Sequence, residues 1–337
     1  MFSALKREMC MFSVPYSRYI FAPIPWYSLL IVLGVALAVF LACREERRLG
    51  LKKDTVIDLA LWVLPFGIIG ARVYYVFFSW DQFRSDPLSV LKIWEGGIAI
   101  YGAVIAGLLT VFVFARCRNL PPLLLCDLIA PGLALAQAIG RWGNYFNMEA
   151  YGLPVTQPAL CFFPLAVQIP ENGFWVWHMA TFFYESVWDF SVFVFLMLAR
   201  HRMLCRRGDV FFFYLYLYAA GRFVIEDLRM DSLYASSAVR VSQLLSALLC
   251  LLLLIWYFVL LWNSGAFKGN LHGPVAAVAF ISSCFQLFYS LSPSFLDQTS
   301  LSLRLLLLAG SSFLLIFSLF LVYIPFSQEV CHANNKV

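Results

Sequence analysis

Apolar residues fall into nine long blocks, at residues 26–43, 55–80, 98–115, 123–139, 179–199, 210–228, about 241–262, 275–291 and 305–324. Most approach the roughly 20 residues that a helix needs to cross hydrocarbon. They do not alternate apolar with polar positions as membrane β-strands do; residues 248–259 are apolar throughout. The pattern predicts an all-α polytopic membrane protein, with a seven-helix core and two extra C-terminal spans. The first block is followed by its basic cluster (Arg44, Arg47, Arg48, Lys52, Lys53). A signal peptide carries its charge before the apolar region, so this block is expected to be an uncleaved anchor.

The segments between the blocks set orientation. Residues 153–178 hold four prolines and no Lys or Arg, which suits a structured external loop. With alternating spans, the loops assigned inside hold 13 basic residues and those outside hold 8. Basic residues favour the cytoplasmic side, so the N-terminus is expected outside and the C-terminus in the cytoplasm. Three regions follow: an external segment 1–25, a membrane core 26–263 with an external loop at about 150–178, and an extension 264–337.

Composition agrees, with 62% hydrophobic and 13% charged residues against about 25% charged in soluble domains. The net charge of +5 is spread in short clusters between apolar blocks, which argues against nucleic-acid binding. The nine cysteines form no C-x-x-C pair, and His178, His201, His272 and His332 stand apart from one another. Neither a disulfide framework nor a metal centre is expected.

The exceptional stretch is Gly140-Arg141-Trp142-Gly143-Asn144-Tyr145-Phe146-Asn147-Met148-Glu149-Ala150-Tyr151-Gly152, at the end of the fourth block. Its closely spaced glycines argue against a plain continuing helix and for backbone that bends or lets a ligand approach closely. Ionisable groups at the edge of hydrocarbon are expensive and usually paired or functional. Arg72, Arg141 and Arg222 lie in or at spans, accompanied by Asp127, Glu149, Glu185 and Glu226. Arg222 and Glu226 are four apart and share a helix face, with Tyr218 one turn earlier. Arginine's planar fork suits phosphate. The expectation is an anion site near the outer leaflet. Asp127 is expected to pair with an arginine of another helix. Tyr214 and Tyr216 are assigned to interfacial or helix packing, the Phe-rich runs to lipid contact, and Gly102 and Gly107 to close helix packing.

The thirteen-residue stretch resembles the signature of bacterial prolipoprotein diacylglyceryl transferases, G-R-x-G-N-[FY]-x-N-x-E-x-x-G. Gly70-Ala71-Arg72 with Tyr74-Tyr75, the run Trp94–Gly102, Tyr184-Glu185-Ser186, Gly221–Glu226, and Asp231-Ser232-Leu233 with Arg240–Gln243 are similar to the family's other motifs, in its order. The resemblance covers about residues 20–260. It implies an enzyme that moves the sn-1,2-diacylglyceryl group of phosphatidylglycerol to the lipobox cysteine thiol of a preprolipoprotein, in the bacterial cytoplasmic membrane. A thioether forms and glycerol phosphate leaves, with no cofactor. Its partners are phosphatidylglycerol, lipobox peptides and membrane lipids.

In family terms Arg141, Asn144, Glu149 and Gly152 come from the signature. Tyr27, Gly97, Tyr218, Arg222 and Glu226 also fall at positions the family uses. Negative charge on the leaving phosphate calls for preorganised cations, so Arg141 and Arg222 are expected to hold the phosphate, with Asn144 and Glu149 orienting headgroup and thiol. Some members carry a histidine, cast as the thiol's base, where this chain has Tyr101. A tyrosine is a poor base at neutral pH, so Tyr101 is expected to orient substrate. Tyr27-Ser28 replaces the favoured Tyr-Gly, and the last two apolar blocks exceed the usual family length. They suit accessory spans or a partner-docking element. A transporter of a lipid or small anion is the alternative, although the signature has no second copy of the kind transporter repeats would give.

Overall fold

A computed structural model describes residues 17–21, 24–201, 204, 206–235, 239–263, 272–292 and 300–334. Nine helices lie among the described residues. They are α1 (Trp26–Arg48), α2 (Thr55–Phe78), α3 (Ile100–Cys117), α4 (Pro122–Asn147), α5 (Thr181–Ala199), α6 (Asp209–Leu228), α7 (Val241–Asn263), α8 (His272–Leu291) and α9 (Leu301–Asn334). Eight are long and apolar enough to cross a membrane. The exception, α6, carries Arg222, Glu226 and Asp227, but its Phe212, Phe213, Tyr216 and Phe223 are wholly buried by protein. The chain is an all-α, multi-pass membrane protein.

Two compact units divide the chain, one comprising Met1–Val35 with Leu133–Val337 and the other Ala36–Gly132. In the second unit α2 and α3 meet backbone to backbone. A methyl group added at Gly70 would lie 2.7 Å from the Gly102 carbonyl oxygen, the close approach that small residues permit in membranes. Gly107 has only ordinary contact with Val63. Buried Glu46, near the end of α1, accepts the backbone N–H groups of Asp54 (3.0 Å) and Val56 (2.6 Å). It thus supplies the carboxylate that the N-terminus of α2 favours.

Arg72 departs from the sequence expectation. Instead of joining a set of acidic partners, its guanidinium donates to five main-chain carbonyls. Nε reaches Val90 (2.9 Å), Nη1 reaches Gly96 and Gly97 (both 2.7 Å), and Nη2 reaches Ser89 (2.8 Å) and Lys92 (3.4 Å). Phe83 lies under the guanidinium at 5.1 Å. Five fixed donors match five inward-turned carbonyls, so the positive charge folds the loop between α2 and α3.

In the first unit, β1 (Tyr19–Phe21) pairs with β2 (Ile24–Pro25), and β3 (Ala166–Glu171) pairs with β4 (Phe174–Met179), both antiparallel. The second hairpin turns on Asn172-Gly173, with φ of 50° and 85°, the conformation that Asn-Gly favours in two-residue hairpins. The proline-containing segment therefore has regular structure of its own. Helix α6 is the packing centre. Phe212 stacks near Tyr216 and Tyr257, while Phe213 packs on Phe195, Phe320 and Tyr323. This corrects the assignment of that Phe-rich run to lipid; Tyr214 and Tyr216 are interior, as the helix-packing half of their expected role requires.

Arg72→Lys keeps the charge but cannot span five carbonyls. It is expected to destabilise the protein by about 2 kcal/mol or more, measured as a lower thermal midpoint and faster proteolysis within residues 80–97.

Candidate active site

The signature does not bend where its glycines suggest. Helix α4 runs on through Gly140 and Gly143 to Asn147, because in apolar surroundings a continuous helix satisfies its own backbone. Gly143 serves a close approach instead. A methyl there would lie 3.2 Å from the Tyr27 Cα and overlap its ring. Next to this contact Trp26 stacks on Phe146, with ring centres 4.9 Å apart. The amide oxygen of Asn147 is buried and has no hydrogen-bond partner among the described residues.

The turn comes one step later. Met148 and Ala150 hold φ of 55° and 54°, left-handed values that cost a non-glycine residue energy. Local bonds compensate. Glu149 donates its N–H to the Asn144 carbonyl (3.0 Å), and Ala150 donates to the Asp231 carboxylate (3.1 Å). The Ala150 carbonyl accepts from the Thr181 hydroxyl (2.7 Å) and the Phe182 N–H (3.1 Å). The turn leaves the Glu149 side chain exposed.

Gly152 then passes between two backbones. Its N–H donates to Met179 at the end of β4 (2.8 Å), and the next N–H, of Leu153, donates to Leu228 at the end of α6 (3.0 Å). A methyl on Gly152 would lie 2.8 Å from the Leu228 carbonyl oxygen and 2.7 Å from Thr181. Buried His178 locks the crossing, with Nδ1 2.8 Å from the Gly152 carbonyl and Nε2 3.2 Å from Glu171.

Charge is concentrated on Glu185 of α5, whose side chain is 2% exposed. Arg141 of α4 approaches one carboxylate oxygen through Nη2 at 2.5 Å. Arg222 of α6 donates through Nη1 to both oxygens, at 3.1 and 3.0 Å, and places Nη2 2.6 Å from Glu226. The Arg222–Glu226 pair expected from the spacing is therefore present. Arg229 lies 3.7 Å from Glu185 and forms a two-pronged pair with Asp231, both distances 2.9 Å. Burial opposes ionisation of Asp231, yet the Arg229 hydrogen bond and charge, with the Ala150 N–H, hold its carboxyl below the usual range.

Close packing sets these distances. Trp188 donates to the Leu217 carbonyl (3.0 Å) and lies over Gly221, where a side chain would overlap its ring. Ser186 donates to the Ala138 carbonyl (2.7 Å), tying α5 to α4. Tyr218 stacks near Tyr214, whose hydroxyl donates to Gln137 of α4 (3.0 Å).

The first unit thus gathers Arg141, Arg222 and Glu226 into one ion network, with Tyr218 in the α6 stripe that carries the last two. Tyr27 and Asn144 lie around Gly143, and Glu149 and Gly152 in the following turn. Gly97 and Tyr101 belong to the second unit. There Gly97 (φ 73°) offers its carbonyl to Arg72, and Tyr101 tilts against Tyr74 at 6.3 Å. Sequence reasoning named Glu185 but did not place it among the site residues, and it missed Asp189 altogether. Asp189 is buried one turn beyond Glu185, with an unpartnered Oδ2 among the described residues. Two acids four apart in an apolar helix were the available signal. Among the described residues no three His, Cys, Asp or Glu side chains are grouped to hold a metal ion.

Glu185→Ala leaves Arg141 and Arg222 without their shared acid. It is expected to destabilise the protein by about 3–5 kcal/mol, measured by thermal unfolding in detergent. Ser191→Ala, on the exposed side of the same helix, should leave the midpoint unchanged.

Residues 16–260 match the family model described as prolipoprotein diacylglyceryl transferase. Three similar proteins bear the name phosphatidylglycerol–prolipoprotein diacylglyceryl transferase. The one from Limosilactobacillus reuteri is 46% identical over 230 residues, 66% of this chain and 82% of its own length. The Enterococcus faecalis protein is 48% identical over 229 residues (66% and 82%), and that of Halalkalibacterium halodurans 45% over 242 (69% and 81%). These relatives do not favour the transporter alternative. The signature, its ion network and the extent of the match together make this chain a member of the prolipoprotein diacylglyceryl transferase family.

Proposed function

We propose that this chain, a transferase, moves the sn-1,2-diacylglyceryl group of phosphatidylglycerol to the lipobox cysteine of a preprolipoprotein. The peptide sulfur attacks the glyceryl carbon next to the phosphate. A C–S bond forms, the C–O bond breaks with its electron pair leaving on glycerol phosphate, and the thiol's proton passes to the released phosphate monoester or to water. Negative charge therefore gathers on the departing phosphate, where preorganised cations stabilise it.

The observation that carries this reading is the sharing of Glu185 by Arg141 and Arg222, which come from different helices. A buried acid holds both guanidiniums in fixed directions before substrate arrives. Among the described residues Arg141 engages only Nη2, so most of its five N–H donors are open to phosphoryl oxygens. Asn144 and the exposed Glu149 orient headgroup and thiol. Tyr27, Gly152, Tyr218 and Glu226 complete the phosphatidylglycerol site of the first unit; the family resemblance alone assigns Gly97 to phosphatidylglycerol and Tyr101 to orienting substrate. A cysteine thiol, with a reference pKa of about 8.5, needs a nearby base or the open N–H donors of Arg141 to favour its thiolate. The bias of basic residues supports a signature at the external face of a bacterial cytoplasmic membrane, with the N-terminus outside. The region 26–263 forms the transferase core.

The purified protein should add one diacylglyceryl mass to a lipobox peptide in the presence of phosphatidylglycerol. No transfer under conditions where a relative works would overturn the function. Arg141→Lys keeps charge but loses the fork, and should slow transfer about 100-fold; transfer at the wild-type rate would remove Arg141 from the clamp.

A further inference from the structure

The family match ends at residue 260, yet α8 and α9 are joined to α6 by buried polar contacts. Asp227, whose side chain is 2% exposed, receives the Tyr289 hydroxyl of α8 at 2.7 Å and lies 2.9 Å from Arg304 Nε of α9. Arg240, just before α7, donates to the same carboxylate at 2.8 Å. Among the described residues, two of the three partners of this buried acid therefore come from helices beyond the match.

Asp227 directly follows Glu226, which takes Arg222. On an α-helix successive residues point about 100° apart, so α6 carries two adjacent stripes. One stripe, Tyr218, Arg222 and Glu226, carries the candidate site's side chains. The other, Ala220, Phe223 and Asp227, faces the added helices. Ser312 donates to the Ala220 carbonyl (3.3 Å), Phe223 meets the Tyr289 ring edge-on at 6.3 Å, and Asp227 takes Tyr289 and Arg304. Toward the other end of α6, the Tyr323 hydroxyl donates to Asp209 (2.6 Å). Helix α9 thus runs antiparallel along α6, with a polar clamp near each end.

The two clamps differ in what they sit beside. The Asp209 clamp is at the first turn of α6, several turns from Arg222. The Asp227 clamp is in the turn that holds Glu226 and follows Arg222. We propose that Tyr289 and Arg304 are positioning residues for the headgroup site, acting through Asp227 to fix the last turn of α6 and the direction of Arg222. The idea rests on the transferase reading above. A buried carboxylate deprived of a partner is strongly unfavourable, and relief by twisting or fraying this turn would carry Arg222 with it. Small displacements of a positioned group have large kinetic effects.

The test uses the full chain in mixed micelles, with phosphatidylglycerol and a lipobox peptide. Arg304→Gln should raise the KM for phosphatidylglycerol roughly tenfold, and Tyr289→Phe several-fold. Adding Asp227→Asn to Arg304→Gln replaces the under-compensated carboxylate by a neutral amide, leaves Arg240 its Tyr234 hydroxyl (3.3 Å), and should bring KM back within about threefold of wild type. Tyr323→Phe breaks the same helix pair at its other clamp and should leave KM unaltered. Loss of folded protein alone would lower the maximal rate at constant KM in every variant, so that result overturns the proposal. So does a KM shift in Tyr323→Phe equal to that in Arg304→Gln. If Arg304→Gln does not accumulate, the double variant and Tyr289→Phe decide by the same KM criteria. Wild-type protein inactive in this assay would instead overturn the transferase reading.

Discussion

Glu185 is the constraint on which the candidate site depends. One carboxylate, almost removed from solvent, is shared by arginines from α4 and α6 with a third from the end of α6 nearby. In an apolar interior none of these charges is tolerable alone, and each is tolerable only at short range to its opposite. The acid therefore does two jobs with one interaction. It makes buried guanidiniums affordable, and it dictates where they point. The glycine under Trp188 and the Ser186–Ala138 bond belong to the same arrangement, because they bring the helices close enough for the pairing distances to be met.

A second constraint acts outside the helices, through backbone rather than charge. The segment after α4 is held by main-chain bonds to β4 on one side and to the end of α6 on the other. Asp231 links the two systems, since its carboxylate takes both Arg229 and the Ala150 N–H. Order in the polar turn and order in the ion network are therefore coupled through a single side chain.

Much of the fold was legible in the chain's apolar blocks, because a helix that crosses hydrocarbon must be long and continuous. The Arg222–Glu226 pair was legible from spacing alone. Other features were not. Gly140 and Gly143 suggested a bend or a close approach, since glycine weakens helices in water; the helix continues through both, and at Gly143 the missing side chain lets Tyr27 come close. The hairpin had a signal in Asn172-Gly173, obscured by the prolines around it. Arg72 announced its charge but not its partners, and a sequence does not distinguish a carboxylate from a cage of carbonyls. The convergence of Arg141, Glu185 and Arg222 depends on three helices far apart in sequence, which no local pattern reports.

The grip of Arg72 on its loop carries a consequence for how that loop can vary. Among the described residues the guanidinium's hydrogen bonds go to main-chain oxygens alone, at positions 89, 90, 92, 96 and 97. Such a latch is indifferent to side-chain identity at most of these positions but sensitive to the number of residues between them. The loop between α2 and α3 is therefore free to drift in composition while its length stays fixed, so a single-residue deletion there would do more harm than several simultaneous substitutions.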